Sequence, residues 1–153
     1  MALNDATPFI HGIARFNEDH KFTATADTIK VALVTSSAGA LTGNESHPCW
    51  GTGGSTNLKA YECPAGGNYS TGGQTVAVTS VTENGSDSEV RIANPTGWAQ
   101  AAGNPPDARY AIFYNESAPN KECLGFYDFG ASHDMTGGDT NITVGNPFLT
   151  VSK

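Results

Sequence analysis

The chain has 153 residues, the length of one ordinary domain, and carries 8 Lys+Arg against 15 Asp+Glu for a formal net charge of -7. Only 15% of its residues are charged, while Gly, Thr, Asn and Ser fill more than a third of it, a mix that caps helices and makes turns more readily than it fills helices. It has no basic patch to neutralise phosphates and no apolar run of about 18 residues to cross a bilayer, so neither a nucleic acid nor a membrane is an expected partner.

Residues 1–8 are short, polar and end in Pro8; they read as an arm leading into one domain over 9–153. Phe9, Ile10, Ile13 and Phe16 recur at helical spacing, which predicts a short helix over about 9–18, weakened by Gly12. From Thr28 to Thr35 the chain alternates, with Ile29, Val31 and Leu33 on one face and Lys30, Ala32 and Val34 on the other, as a strand does.

Residues 39–73 form a long Gly-rich excursion, with the aromatics Trp50, Tyr61 and Tyr69 spaced between glycines and one short strand expected over 56–62. Such a loop is unusual unless it has a contact to make. Two possibilities stay open: a surface segment that orders against a neighbour, or a loop folded over its own core.

Alternation resumes over Gln74–Thr82 and again over Ser88–Ala93, with Asn84-Gly85 between them, so the pair reads as a hairpin. Trp98, after the Asn94-Pro95-Thr96-Gly97 break, is expected to plug the edge of the core. Asp107–Asn115 is apolar on both faces, as a central strand would be, and Lys121–Phe129 repeats that character, with Gly125 marking a bulge or a close approach. A polar strand over Asn141–Val144 and a last short one over Phe148–Ser152 close the chain. Seven or eight strands joined by Gly/Pro/Asn turns predict an all-β fold, an antiparallel β-sandwich or partly open barrel.

Chemistry-bearing residues are scattered. The histidines His11, His20, His47 and His133 have no ligand spacing, and Glu18-Asp19-His20 reads as a solvated helix end. Asp134 and Asp139 lack the spacing of a calcium loop, and Gly51–Thr56 lacks the lysine of a phosphate loop. Cys49, Cys63 and Cys123 suit neither a disulfide framework nor a thiolate zinc site, although a bridge between Cys49 and Cys63 stays open. Arg109, at the start of the most apolar strand, is expected to pair structurally with Asp128 in the neighbouring one. No catalytic residue, metal or cofactor is expected; the function is expected to be the surface. The first residues carry neither a basic nor an apolar leader pattern, so synthesis in a cytoplasm is expected.

Four segments occur in a characteristic order: Asp27-Thr28-Ile29-Lys30-Val31-Ala32-Leu33-Val34, Tyr69-Ser70-Thr71-Gly72-Gly73-Gln74-Thr75-Val76, Ala108-Arg109-Tyr110-Ala111-Ile112-Phe113-Tyr114-Asn115 and Leu124-Gly125-Phe126-Tyr127-Asp128-Phe129-Gly130. In order and spacing the chain resembles, over about residues 9–150, a group of small accessory virion proteins of tailed bacteriophages. The Trp50/Cys49/Cys63 region is not part of that pattern. The resemblance implies assembly into the particle more firmly than a location within it, and on it a capsid decoration (cement) protein on the outer surface of the head is expected. Its partner would be the major capsid protein, with self-association as well, a trimer favoured over a dimer. The arm Ala2, Leu3, Asn4, Asp5, Thr7, Pro8 and Phe9 would reach the capsid, and Trp50, Tyr61 and Tyr69 would contact a partner or another copy. Alternatives are a minor tail, head–tail connector or baseplate component and, further off, a host-surface glycan-binding module.

Overall fold

A computed structural model describes residues 6–10, 27–85 and 87–152. Ten strands are assigned among them: β1 (Thr7–Pro8), β2 (Ile29–Val34), β3 (Pro48–Cys49), β4 (Thr56–Asn57), β5 (Gln74–Val76), β6 (Val78–Asn84), β7 (Asp87–Ile92), β8 (Ala108–Asn115), β9 (Cys123–His133) and β10 (Leu149–Ser152). They make a five-stranded sheet in the order β1-β9-β8-β2-β5, a three-stranded sheet β10-β7-β6 and a small two-stranded sheet β3-β4. The fold is all-β and open, sandwich-like, with no sheet closed into a barrel.

The five-stranded sheet explains why β2 and β8 are apolar on both faces. Ile29, Val31 and Leu33 of β2 point into the main core, where they meet Phe113 of β8 and Val90 and Ile92 of the three-stranded sheet. Ala32 and Val34 point the other way, into a second core with Tyr110, Ile112 and Tyr114 of β8 and Trp50 and Leu58 of the excursion. Antiparallel sheets commonly leave one face to water; here residues 39–73 cover it.

Several elements differ from the sequence expectation. Gln74–Thr82 is two strands, because the chain leaves the first sheet after Val76 and enters the second at Val78. The Ala77 carbonyl between them accepts from Ala93 N–H (2.8 Å). Val76 and Val78 both reach the main core, one from each sheet, so the alternation runs through the corner without revealing it. The 56–62 strand shortens to Thr56–Asn57, followed by a 3₁₀ turn over Leu58–Tyr61 that buries Leu58.

Asn141–Val144 is not a strand: Ile142 and Val144 are buried in the main core, but the backbone there is held by a Trp98–Thr140 bridge and by Val144 N–H donating to Asn94 Oδ1 (2.9 Å). The hairpin turns at Gly85 (φ +66°) with Asn84 opposite Asp87, and Trp98 is buried. The helix expected over 9–18 and the Glu18-Asp19-His20 cluster lie outside the described residues beyond Phe9 and Ile10, of which Phe9 is buried and Ile10 exposed.

Candidate functional site

The excursion is pinned to the sheet by its own aromatic rings and by sheet hydroxyls. Trp50 stacks on Tyr114 with ring centroids 4.9 Å apart and 14° between planes. The Tyr114 hydroxyl donates to the Gly72 carbonyl (2.8 Å), and the Tyr110 hydroxyl donates to the Gly39 carbonyl (2.9 Å). Tyr69 enters the main core; its hydroxyl donates to Glu62 Oε1 (3.1 Å) and accepts from Leu33 N–H (3.1 Å). Burial is the main reason its phenol is held far above the ordinary range.

Trp50 and Tyr69, expected at a partner surface, are therefore buried within the chain. A large ring among glycines gains more by filling a core of its own chain than by waiting for a partner. Of the three aromatics only Tyr61 presents surface, at 38% exposure.

The arm is likewise claimed by its own domain from Thr7 onward. Thr7 lies opposite Phe126 and Pro8 opposite Gly125. Phe9 N–H donates to the Leu124 carbonyl (2.9 Å), and the Phe9 ring packs on Phe126 with centroids 5.2 Å apart. Gly125 admits the arm because a Cβ there would sit 2.7 Å from the Thr7 carbonyl oxygen. Thr7, Pro8 and Phe9 are thus an edge strand and its anchor rather than a free reach. Ala2, Leu3, Asn4 and Asp5 lie outside the described residues.

A polar cluster sits where β2 ends and β8 begins. Asp107 accepts from Ser36 N–H (3.2 Å), Ser36 Oγ (2.7 Å) and Ser132 Oγ (2.7 Å). Desolvation works against its charge, but these hydrogen bonds from Ser36 and Ser132 prevail and hold the carboxyl below its ordinary value. Arg109 pairs with Asp128 at 3.0 Å, and its guanidinium lies 5.1 Å from the Tyr110 ring centroid. Ser36, Gly39, Ala40, Arg109, Tyr110 and Ser132 line a cleft of about 280 Å³ beside this cluster.

Both serine hydroxyls donate to a carboxylate with no imidazole between them, and the arginine charge is already matched. The cluster ties three strand ends together and offers polar contacts. Asp107, Ser36, Ser132 and Glu62 were not singled out by sequence; each sits at the end of an apolar run, where a cap or turn residue is the ordinary expectation.

Cys49, Cys63 and Cys123 are all buried, and no disulfide joins Cys49 to Cys63. Burial, then the charges of Asp107 and Glu62, push the Cys63 thiol up to about 12, and it donates to the Asp107 carbonyl (3.2 Å). Burial is the largest cause of the rise at Cys123, ahead of the neighbouring Cys49 and Glu122. Thiols held protonated in this way are inert.

Among the described residues no group of three or more His, Cys, Asp or Glu is placed to hold a metal, and no helix is long and apolar enough to cross a membrane. No protein-family model, curated protein or solved structure matches the chain.

Proposed function

We propose that the protein is a non-enzymatic structural component of a tailed-bacteriophage particle, a decoration protein bound to the outside of the assembled head through the major capsid protein. The observation that supports this best is spatial. The four segments that carry the resemblance contain β2, β5, β8 and β9, and these are consecutive neighbours in one sheet. The likeness thus follows a folded unit and not a scatter of short motifs.

A low-charge surface suits repeated packing, because few Lys and Glu have to be desolvated at each contact. Weak contacts repeated over a shell add to firm attachment, and binding the assembled shell alone stabilises that shell by linkage.

Counting copies per purified particle by quantitative mass spectrometry tests the location. Decoration requires copies on the order of hundreds, as expected for a protein bound to a repeating shell, whereas copies in single figures or the low tens place it in the tail, connector or baseplate. Because Thr7–Phe9 belong to the domain, the arm is tested by deleting residues 2–5 only. Loss of attachment to preformed heads with unchanged unfolding supports an arm contact; normal attachment removes it.

A further inference from the structure

Sheet edges expose unpaired N–H and C=O groups, and proteins blunt them by keeping them short or by placing Pro or Lys on them. In the five-stranded sheet the edges are β1, two residues ending in Pro8, and β5, three residues. The outer strand β6 is different: seven residues, Val78-Thr79-Ser80-Val81-Thr82-Glu83-Asn84, with neither Pro nor Lys. Among the described residues no strand pairs with its outer edge.

Two further observations concern Val81. It lies opposite Val90 in the β6–β7 ladder, so the two share the core-facing side, yet Val90 is 5% exposed and Val81 36%. The core stops one strand short of covering it. The Val90 carbonyl accepts from Phe148 N–H (2.8 Å), on the β10 side of the sheet. The Val81–Val90 pair is therefore a non-hydrogen-bonded one, and Val81 aims its own N–H and C=O out of the open edge.

We propose that β6 pairs antiparallel with β6 of a second copy about a two-fold axis at Val81, joining two three-stranded sheets into one of six strands. The strand's own sequence suits this occupant. Centred on Val81, the strand sets valine against the partner's Val81 and Ser80 against the partner's Thr82, with no like charges opposed. Centring it one residue later sets Val81 against the partner's Glu83. The bulge between Val78 and Ser80 keeps the regular ladder short, so the dimer is weak. The pairing is two-fold, which selects the dimer over the trimer that the sequence reading favoured. It rests on the edge alone and stands whether or not the protein decorates a head.

Sedimentation equilibrium from about 1 μM to about 1 mM, the range of weak interfaces, tests it. The wild type is expected to rise from the 15.9 kDa monomer towards twice that mass. Val81→Pro removes a donor that the β7 ladder does not use and is expected to stay monomeric with unchanged circular dichroism. Val81→Lys keeps every backbone donor and is expected to weaken the dimer at least about tenfold. All native cysteines are buried, so Val81→Cys adds an accessible thiol. It is expected to oxidise to a covalent dimer at least about tenfold faster than the exposed edge control Thr75→Cys. A wild type that stays monomeric throughout, or an oligomer that both Val81→Pro and Val81→Lys leave unchanged, overturns the proposal.

Discussion

At Asp107 one carboxylate gathers three donors from two other segments, Ser36 and Ser132, and is held ionised below the ordinary carboxylate range. A group whose pKa is lowered by folding adds stability above its unfolded value, near 4, and loses it as pH falls through the folded value. Asp107→Asn is therefore expected to be less stable than wild type at pH 7, with the gap closing below about pH 4; urea midpoints at a series of pH values measure this. A gap that is constant with pH would mean that the charge is irrelevant. Trp50 and Tyr69 show the limit of residue-level reading. An aromatic ring in a Gly-rich loop has the same sequence signature whether it plugs its own sheet or waits for a partner, and only the tertiary fold separates the two.

At the level of elements, legibility followed periodicity. The two-faced apolar pattern of Ala108–Asn115 placed β8 in the middle of a sheet, with β2 and β9 on either side, because only a strand covered on both faces can afford it. Alternation reports burial, however, and not ladder hydrogen bonds. Ile142 and Val144 alternate inward from a loop, and Val76 and Val78 alternate inward across a sheet change. The pairing of Thr7 and Pro8 is not legible in the sequence, because two residues ending in proline carry no strand signal, while the receiving feature, Gly125, lies more than a hundred residues away. Gly125→Ala would force a methyl against the Thr7 carbonyl and is expected to cost about 1–3 kcal/mol, as overpacking does. It should also speed proteolytic clipping before Ile10, which mass spectrometry after brief digestion would detect. Unchanged clipping would show that β1 is held by something other than this close approach.

For the whole molecule, β2, β8 and β9 are walls common to both cores, so neither core can melt alone without exposing the back of the other. Trp50→Ala, on the excursion side, and Phe113→Ala, in the main core, are each expected to destabilise by about 3–5 kcal/mol. Both should shift one cooperative transition seen alike by fluorescence and far-UV circular dichroism. Two separated transitions in Trp50→Ala would instead make the excursion an independent layer. The all-β class and the number of turns were legible from composition, since turn residues punctuate apolar runs throughout. That the 39–73 segment is a second layer was not, because it depends on which face of the sheet needed covering.

The corner at Ala77 ties the two principal sheets together through a single residue, between Val76 in one and Val78 in the other. Mechanically this is a seam. A load that drags one sheet across the other meets taut backbone at that margin before it meets side-chain friction, so sliding is stiff there. The links from Ile92 to Ala108 and from His133 to Leu149 are longer, and are tied to each other by the Trp98–Thr140 bridge and by Val144 N–H donating to Asn94 Oδ1. Among these three connections Ala77 is the shortest, the spine along which the two sheets are bound.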